Sequence, residues 1–152
     1  MTEPTLQDVL YKEIPLTQAI GIQVVDSTDR SLSLKAPLTN NINHKCTAFG
    51  GSLYSVSVLT GWGLLYTILK QHKLSGHIVI QESNTRFLKP VIEDIYSHCS
   101  IDNWQDIDKF IRMYKRKGIA RIQLTTHIMC KHVNCVEFSG RYVVHQNDLI
   151  ST

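Results

Sequence analysis

The sequence predicts an α+β fold in which one long helix is wrapped by a single curved antiparallel sheet. Three observations lead there. Between Lys45 and Lys70 the chain carries no formal charge, so a helix there is apolar nearly all round and needs cover on most sides. Two strand-like stretches precede it and four follow it, enough to supply that cover. The 152 residues, 43% hydrophobic and 19% charged, are ordinary for one soluble globular domain with a real core, spanning 1–152.

The elements follow in order. Leu6, Val9, Leu10 and Ile14 recur at helical spacing, which predicts a short amphipathic helix over 5–14 that stops near Pro15. "GIQVVDSTDRSLSLKAPL" reads as two strands about a polar turn at Asp26–Arg30. In the second, Leu32, Leu34 and Ala36 alternate with Ser31, Ser33 and Lys35. The polar loop "TNNINHKC" leads into the long helix, which begins near Phe49–Gly51. Next come the strands "HIVIQESNTRFLKPV", ended by Pro90, and "IYSHCSI". "WQDIDKFIRMYKRKG" fits a short helix or an elaborated loop. "IARIQLTTHIMC" and "VNCVEFSGRYVVH" form a hairpin with its turn in Lys131–Asn134. One sheet curling round one helix leaves part of that helix bare, which favours a dimer.

Several classes are excluded or set aside. The N-terminus has early acidic residues and no basic segment before an apolar core, so it does not read as a signal peptide. Cys46, Cys99, Cys130 and Cys135 are sparse and irregularly spaced, which argues against a disulfide framework and for the cytoplasm. A net charge of +3 does not by itself imply nucleic acid. Residues 46–69 are long enough to span a membrane, but Ser52, Ser55, Ser57, Thr60, Gly61 and Gly63 dilute their hydrophobicity; the expectation is a buried helix and no membrane.

The candidate chemistry clusters at the start of that helix. Gly50 and Gly51 stand where the first amides lack internal acceptors and the helix dipole is positive, an arrangement suited to a carbonyl under attack. Paired glycines there also serve simple close packing. Asn43 and His44, just upstream, are placed to position a carbonyl or a water, although a lone loop histidine is more often a solvated residue. Glu82 interrupts an apolar strand expected to run through the middle of the sheet. Strict alternation would put it on one face with Ile78, Ile80, Asn84 and Arg86. Facing the helix start, it would be a part-buried carboxylate able to activate water; the competing reading is an ion pair with Arg86. Cys46 beside His44 invites a nucleophile reading, yet residues two apart rarely meet that geometry, and a small buried residue is favoured.

Two further clusters are weaker. His127, Cys130, His132 and Cys135 resemble zinc ligands in type, but alternation in a hairpin sends neighbouring candidates to opposite faces, so no metal is expected. Arg112, Lys115, Arg116, Lys117 and Arg121 lie within ten residues. They read either as a solvated basic segment or as an anion site, for the phosphates of coenzyme A or the acidic surface of an acyl carrier protein. With Tyr114 the one interleaved aromatic, nucleic acid is not expected.

Taken with "IPLTQAIGIQVV", "RSLSLKAPL", "NTRFLKPV" and "CVEFSGRYVV" in the same order, the run "NINHKCTAFGGSLYSVSVLTGWGLL" resembles the YiiD C-terminal-type thioesterases of the hotdog-fold superfamily, from about Ile14 to His145. The resemblance implies a hotdog fold, usually paired into a dimer of continuous sheet or a dimer of dimers, with active sites at the dimer interface. It implies hydrolysis of an acyl thioester on coenzyme A or an acyl carrier protein, without a cofactor. Gly50 and Gly51 would polarise the carbonyl, Asn43 and His44 would position the reactants, and Glu82 would deprotonate water.

The chain departs from that pattern in three places. Many hotdog thioesterases carry an acid about two turns into the helix, where this chain reads Ser55–Thr60; the base would therefore be Glu82 or His44, or there is none. The missing acid also disfavours a dehydratase. Cys46 stands where relatives commonly have glycine. The acetyltransferase domain that YiiD-type proteins can carry does not fit within this length. The rival reading is a non-catalytic module that binds acyl-coenzyme A or a carrier protein.

Overall fold

Thr5 starts the first helix by a reciprocal cap. Its hydroxyl accepts from the Asp8 amide at 3.2 Å while the Asp8 carboxylate accepts from the Thr5 amide at 2.9 Å. The computed structural model describes residues 2–146. Helix α1 (Leu6–Glu13) is followed at once by α2 (Leu16–Ile20), a five-residue helix too short to leave a periodic signal. Strands β1 (Gln23–Ser27) and β2 (Ser31–Ala36) flank the polar turn, and a 3₁₀ turn at Leu38–Asn40 leads to α3 (Gly50–Gln71). Then come β3 (His77–Phe87), β4 (Ile95–Ser100), α4 (Trp104–Lys117), β5 (Ile119–Cys130) and β6 (Val133–His145).

The six strands form one antiparallel sheet in the order β1-β2-β4-β5-β6-β3, and it curls round α3. Leu53, Val56, Leu64, Leu65 and Ile68 of α3 are buried against Leu32 and Leu34 of β2, Ile95 of β4, Ile128 of β5 and Phe138 of β6. Each such side chain contributes roughly 1.5–3 kcal/mol by leaving water. Helix α3 has the length and composition of a membrane span, but 61% of its apolar window lies inside its own fold. Its diluting polar residues are satisfied locally: the Ser57 and Thr60 hydroxyls donate to the carbonyls of Leu53 and Val56 at 2.8 and 2.7 Å.

The ambiguous segment 104–118 is helical. Asn103 caps it by accepting from the Gln105 amide at 2.9 Å, and Gly118 ends it in the left-handed region. Ile107, Phe110, Ile111 and Tyr114 form its buried stripe, and Tyr114 donates to the Ser75 carbonyl, closing the roll at the C-terminal end of α3. The β5–β6 turn is tighter than expected. It has two central residues, Lys131 and His132, both at positive φ (51° and 66°), and the Lys131 amide is held by Glu93 at 3.1 Å.

One expectation about the sheet is overturned. The strand carrying Glu82 runs along an edge of the sheet, paired only with β6. Its apolar residues suggested a central strand, yet most of β3 is exposed in the single chain.

Candidate active site

Helix α3 begins without a side-chain cap. Phe49 occupies the N-cap position in extended backbone and offers no side-chain acceptor, and the first turn holds no acid. The Leu53 amide bonds to the Phe49 carbonyl at 3.0 Å, but among the described residues the amides of Gly50, Gly51 and Ser52 have no acceptor. Three free donors at the positive end of a 22-residue helix are able to stabilise a carbonyl oxygen that gains charge. Gly51 lies under the Phe49 ring, and a Cβ built there would come within 2.4 Å of it; Gly50 lies beside Phe87. The two sequence-expected glycines are therefore together, at the surface, with their amides available.

The preceding loop is rigidly tied. Ile42 bridges Ala48, and the Phe49 amide donates to the Asn41 carbonyl at 2.7 Å. Buried Asn41 anchors the base through its Nδ2, which donates to the carbonyls of Ile20 and Pro37 at 2.9 and 2.8 Å. Asn43 is committed to the loop itself. Its Oδ1 accepts from the amides of Lys45 and Thr47 at 2.9 and 3.1 Å, and its Nδ2 donates to the Thr47 hydroxyl at 2.9 Å. It shapes the approach to the glycines and leaves little capacity for a ligand. Cys46 adopts φ 62°, a conformation glycine takes without strain, and is exposed where the sequence favoured a small buried residue. His44, at the tip of this loop, is exposed.

Glu82 does not meet the helix start of its own chain. A bulge between Ile80 and Glu82 reverses the alternation of β3, so the inward set changes from Ile78 and Ile80 to Ser83, Thr85 and Phe87. The Ser83 hydroxyl lies 3.0 Å from the Tyr54 hydroxyl on α3, and the Phe87 ring lies beside Gly50, where a Cβ would be 3.8 Å from it, which identifies the inner side. Glu82 points outward to Arg141 at 3.4 Å with 71% of its side chain exposed. The expected partner Arg86 instead faces Glu137 at 3.8 Å. Both are surface pairs of small energetic worth. The part-buried carboxylate read from strict alternation is thus an outer-face residue.

The structure adds neighbours that the sequence reading missed. The Tyr54–Ser83 hydroxyl pair and the Thr85 hydroxyl, buried without a hydrogen-bond partner, lie on the inner side of β3. Exposed Ile42, Phe49, Phe87, Leu88 and Ile92 ring the helix start, beside the unpaired edge of β3. A bulge leaves no mark in a sequence, so the inward set of β3 had no signal; the apolar rim was visible only as scattered residues.

The basic segment is not one clamp. Arg112 and Lys115 line a groove with His72, whereas Lys117 and Arg121 line another between α4 and β5, and Arg116 is exposed. Lys115, Arg116 and Lys117 occupy the last turn of α4, where cations offset the helix dipole. Arg112 and Lys115, beside His72, lie at the C-terminal end of α3, whose 22 residues span about 33 Å at 1.5 Å per residue. Among the described residues no cluster of three or more His, Cys, Asp or Glu could hold a metal ion; Cys130 and Cys135 are free thiols buried beside the turn.

Two solved structures share the chain's whole architecture at 30% identity. The protein OLEI01261 of unknown function from Chlorobaculum tepidum matches with a TM-score of 0.89 over 93% of each chain. A protein from Shewanella oneidensis described as a "putative thioesterase" matches with a TM-score of 0.81 over 92% of this chain and 94% of that one. A Haemophilus influenzae thioesterase, 12% identical with a TM-score of 0.72 over 98% and 96%, shares the fold. The family described as "Putative thioesterase (yiiD_Cterm)" matches residues 3–146. The long helix enclosed by a six-stranded antiparallel sheet is a hotdog fold, and the chain belongs to the YiiD C-terminal-type thioesterase family.

Proposed function

We propose that this protein hydrolyses an acyl thioester of coenzyme A or of an acyl carrier protein, with the thioester carbonyl bound at the free amides of Gly50 and Gly51. The observation that carries this reading is an uncapped, acid-free helix start with unpaired donors, in a chain of a thioesterase family. As the tetrahedral intermediate forms, charge gathers on the carbonyl oxygen and those amides stabilise it. With Glu82 turned outward, His44 on the adjoining loop is the better group to take the proton from water. Asn43 contributes by holding that loop.

A second copy completes the site in this reading. The Leu88 amide donates to the Cys135 carbonyl, so by alternation the backbone groups of Ser83, Thr85 and Phe87 point away from β6 toward the open edge. Antiparallel pairing of two such edges covers the apolar rim and brings the far end of the second copy's α3, with Arg112 and Lys115 beside His72, toward the helix start. Those residues then hold the coenzyme's phosphates. Three buried free thiols fit a cytoplasmic setting.

A panel of acyl-coenzyme A substrates from short to long chain, with free thiol as the readout, tests the proposal. Wild type should release thiol, His44→Ala should lower kcat by about 10²-fold or more, and Glu82→Gln should change it little. A loss confined to Glu82→Gln would return the base to Glu82. The rival reading, a binding module without turnover, is favoured by the outward Glu82 and the acid-free helix. Tight acyl-coenzyme A binding with no thiol release by wild type would establish it.

A further inference from the structure

The sheet has a third open edge, inside the fold rather than at its margin. Pairing between β4 and β5 stops at Cys99↔Thr126, yet β5 extends back to Ile119 and stays paired with β6 throughout. The Gln146 amide donates to the Gly118 carbonyl at 3.0 Å, so by alternation Ala120, Ile122 and Leu124 bond to β6. The backbone groups of Ile119, Arg121 and Gln123 then point the other way, where among the described residues no backbone partner meets them. The chain has left the sheet at Ile101 to build α4, and a groove of about 890 Å³ remains between that helix and the vacated edge. Seven consecutive residues of β5 line it, as a strand presented edge-on does, and Phe110 and Met113 of α4 give it an apolar wall.

We propose that this groove binds an extended peptide segment of a partner protein, which adds to β5 as the missing strand. Unpaired backbone donors and acceptors along a strand edge select another extended backbone. Charge sets the direction: Lys117 and Arg121 stand at the β5 start, Asp102 and Asp106 lie toward the other end, and Lys109 stands between the two groups. A guest antiparallel to β5, the direction β4 already has, places its C-terminal end over the basic pair. The ligand is therefore an alternating β-prone segment with acidic residues at its C-terminal end. The site is separate from the helix start and independent of thioester chemistry.

The test uses the full chain and a synthetic peptide, acetyl-Thr-Val-Thr-Val-Thr-Val-Glu-Glu-amide, read by amide hydrogen exchange. The peptide should slow exchange at Arg121 and Gln123. A version N-methylated at alternate amides should not bind, and one ending in Lys-Lys should bind about tenfold more weakly. Lys117→Glu with Arg121→Glu should reverse that charge preference; if this double variant does not fold, the two peptides decide on wild type alone. Slowing confined to β3, equal binding by the methylated peptide, or no slowing at millimolar peptide overturns the proposal. Slowing of the same amides by protein concentration alone, without peptide, assigns the groove to a second copy and also overturns it.

Discussion

The two ends of α3 are built on opposite principles. At its C-terminal end α4 folds over the roll, Tyr114 is wholly buried, and its hydroxyl satisfies the Ser75 carbonyl. At its N-terminal end no side chain caps the helix, three amides are free, and the nearest rings, Phe49 and Phe87, are more than half exposed. One end is stabilised by burial and paired polar groups. The other forgoes about 1 kcal/mol of capping and leaves its first amides unpaired. Unsatisfied backbone beside exposed apolar surface is uncommon in a folded chain, and this contrast is what singles out the open end as the candidate site.

Substitutions in the middle of the helix and at each end test this contrast, taken in order of falling effect. Gly61→Ala in the packed middle of α3 would put a Cβ 2.3 Å from the buried Tyr142 hydroxyl, which donates to the Val58 carbonyl. Overpacking there should lower stability by about 2–3 kcal/mol in urea denaturation, and an unchanged midpoint would show the middle to be looser than the structure describes. Gly51→Ala at the open end meets the Phe49 ring at 2.4 Å, but Phe49 is 56% exposed, which leaves its side chain solvent to turn into. Stability should therefore hold while thiol release falls about tenfold, near 1.4 kcal/mol of lost transition-state stabilisation. A fall in stability without a fall in turnover would assign Gly51 to packing alone.

Tyr114→Phe keeps the buried ring and strips the hydroxyl from the Ser75 carbonyl. It should cost about 1 kcal/mol, read as a shifted denaturation midpoint with activity unchanged. Cys46→Gly relieves the positive φ on the loop at the open end and should stabilise slightly, by about 0.5 kcal/mol. The same residue sharpens the contrast chemically. In the native protein iodoacetamide should label exposed Cys46 first and leave Cys99 untouched, because burial pushes the Cys99 thiol up to about 11. A thiol raised in the fold from 9.0 contributes stability below its unfolded value, and that contribution fades between about pH 9 and pH 11. Stability should therefore decline across that window in wild type and decline less in Cys99→Ala.

Much of the fold was legible, and the reason is periodicity. The charge-free run through Leu53–Leu69 required enclosure, and the alternation of Leu32, Leu34 and Ala36 supplied an inner face for one strand of the enclosing sheet. Gly50 and Gly51 were legible as a helix start because glycine pairs mark close approach. Glu82 shows where that reasoning stops. Its face was inferred from strict alternation, and one extra residue in β3 inverted it. Asn43 likewise was a polar group near glycines, and only the folded loop shows its carboxamide bonded to Lys45 and Thr47.

Residue order thus carried the local patterns: where the apolar helix lies, which stretches alternate, and which residues stand at the helix start. Those follow from side-chain hydrophobicity and backbone preference, which act over a few neighbours. Long-range packing made β3 an edge, turned Glu82 outward at its bulge, and divided the basic segment between two grooves. Strand order and register depend on pairing between residues far apart in the chain, and no local pattern encodes which partner each edge finds.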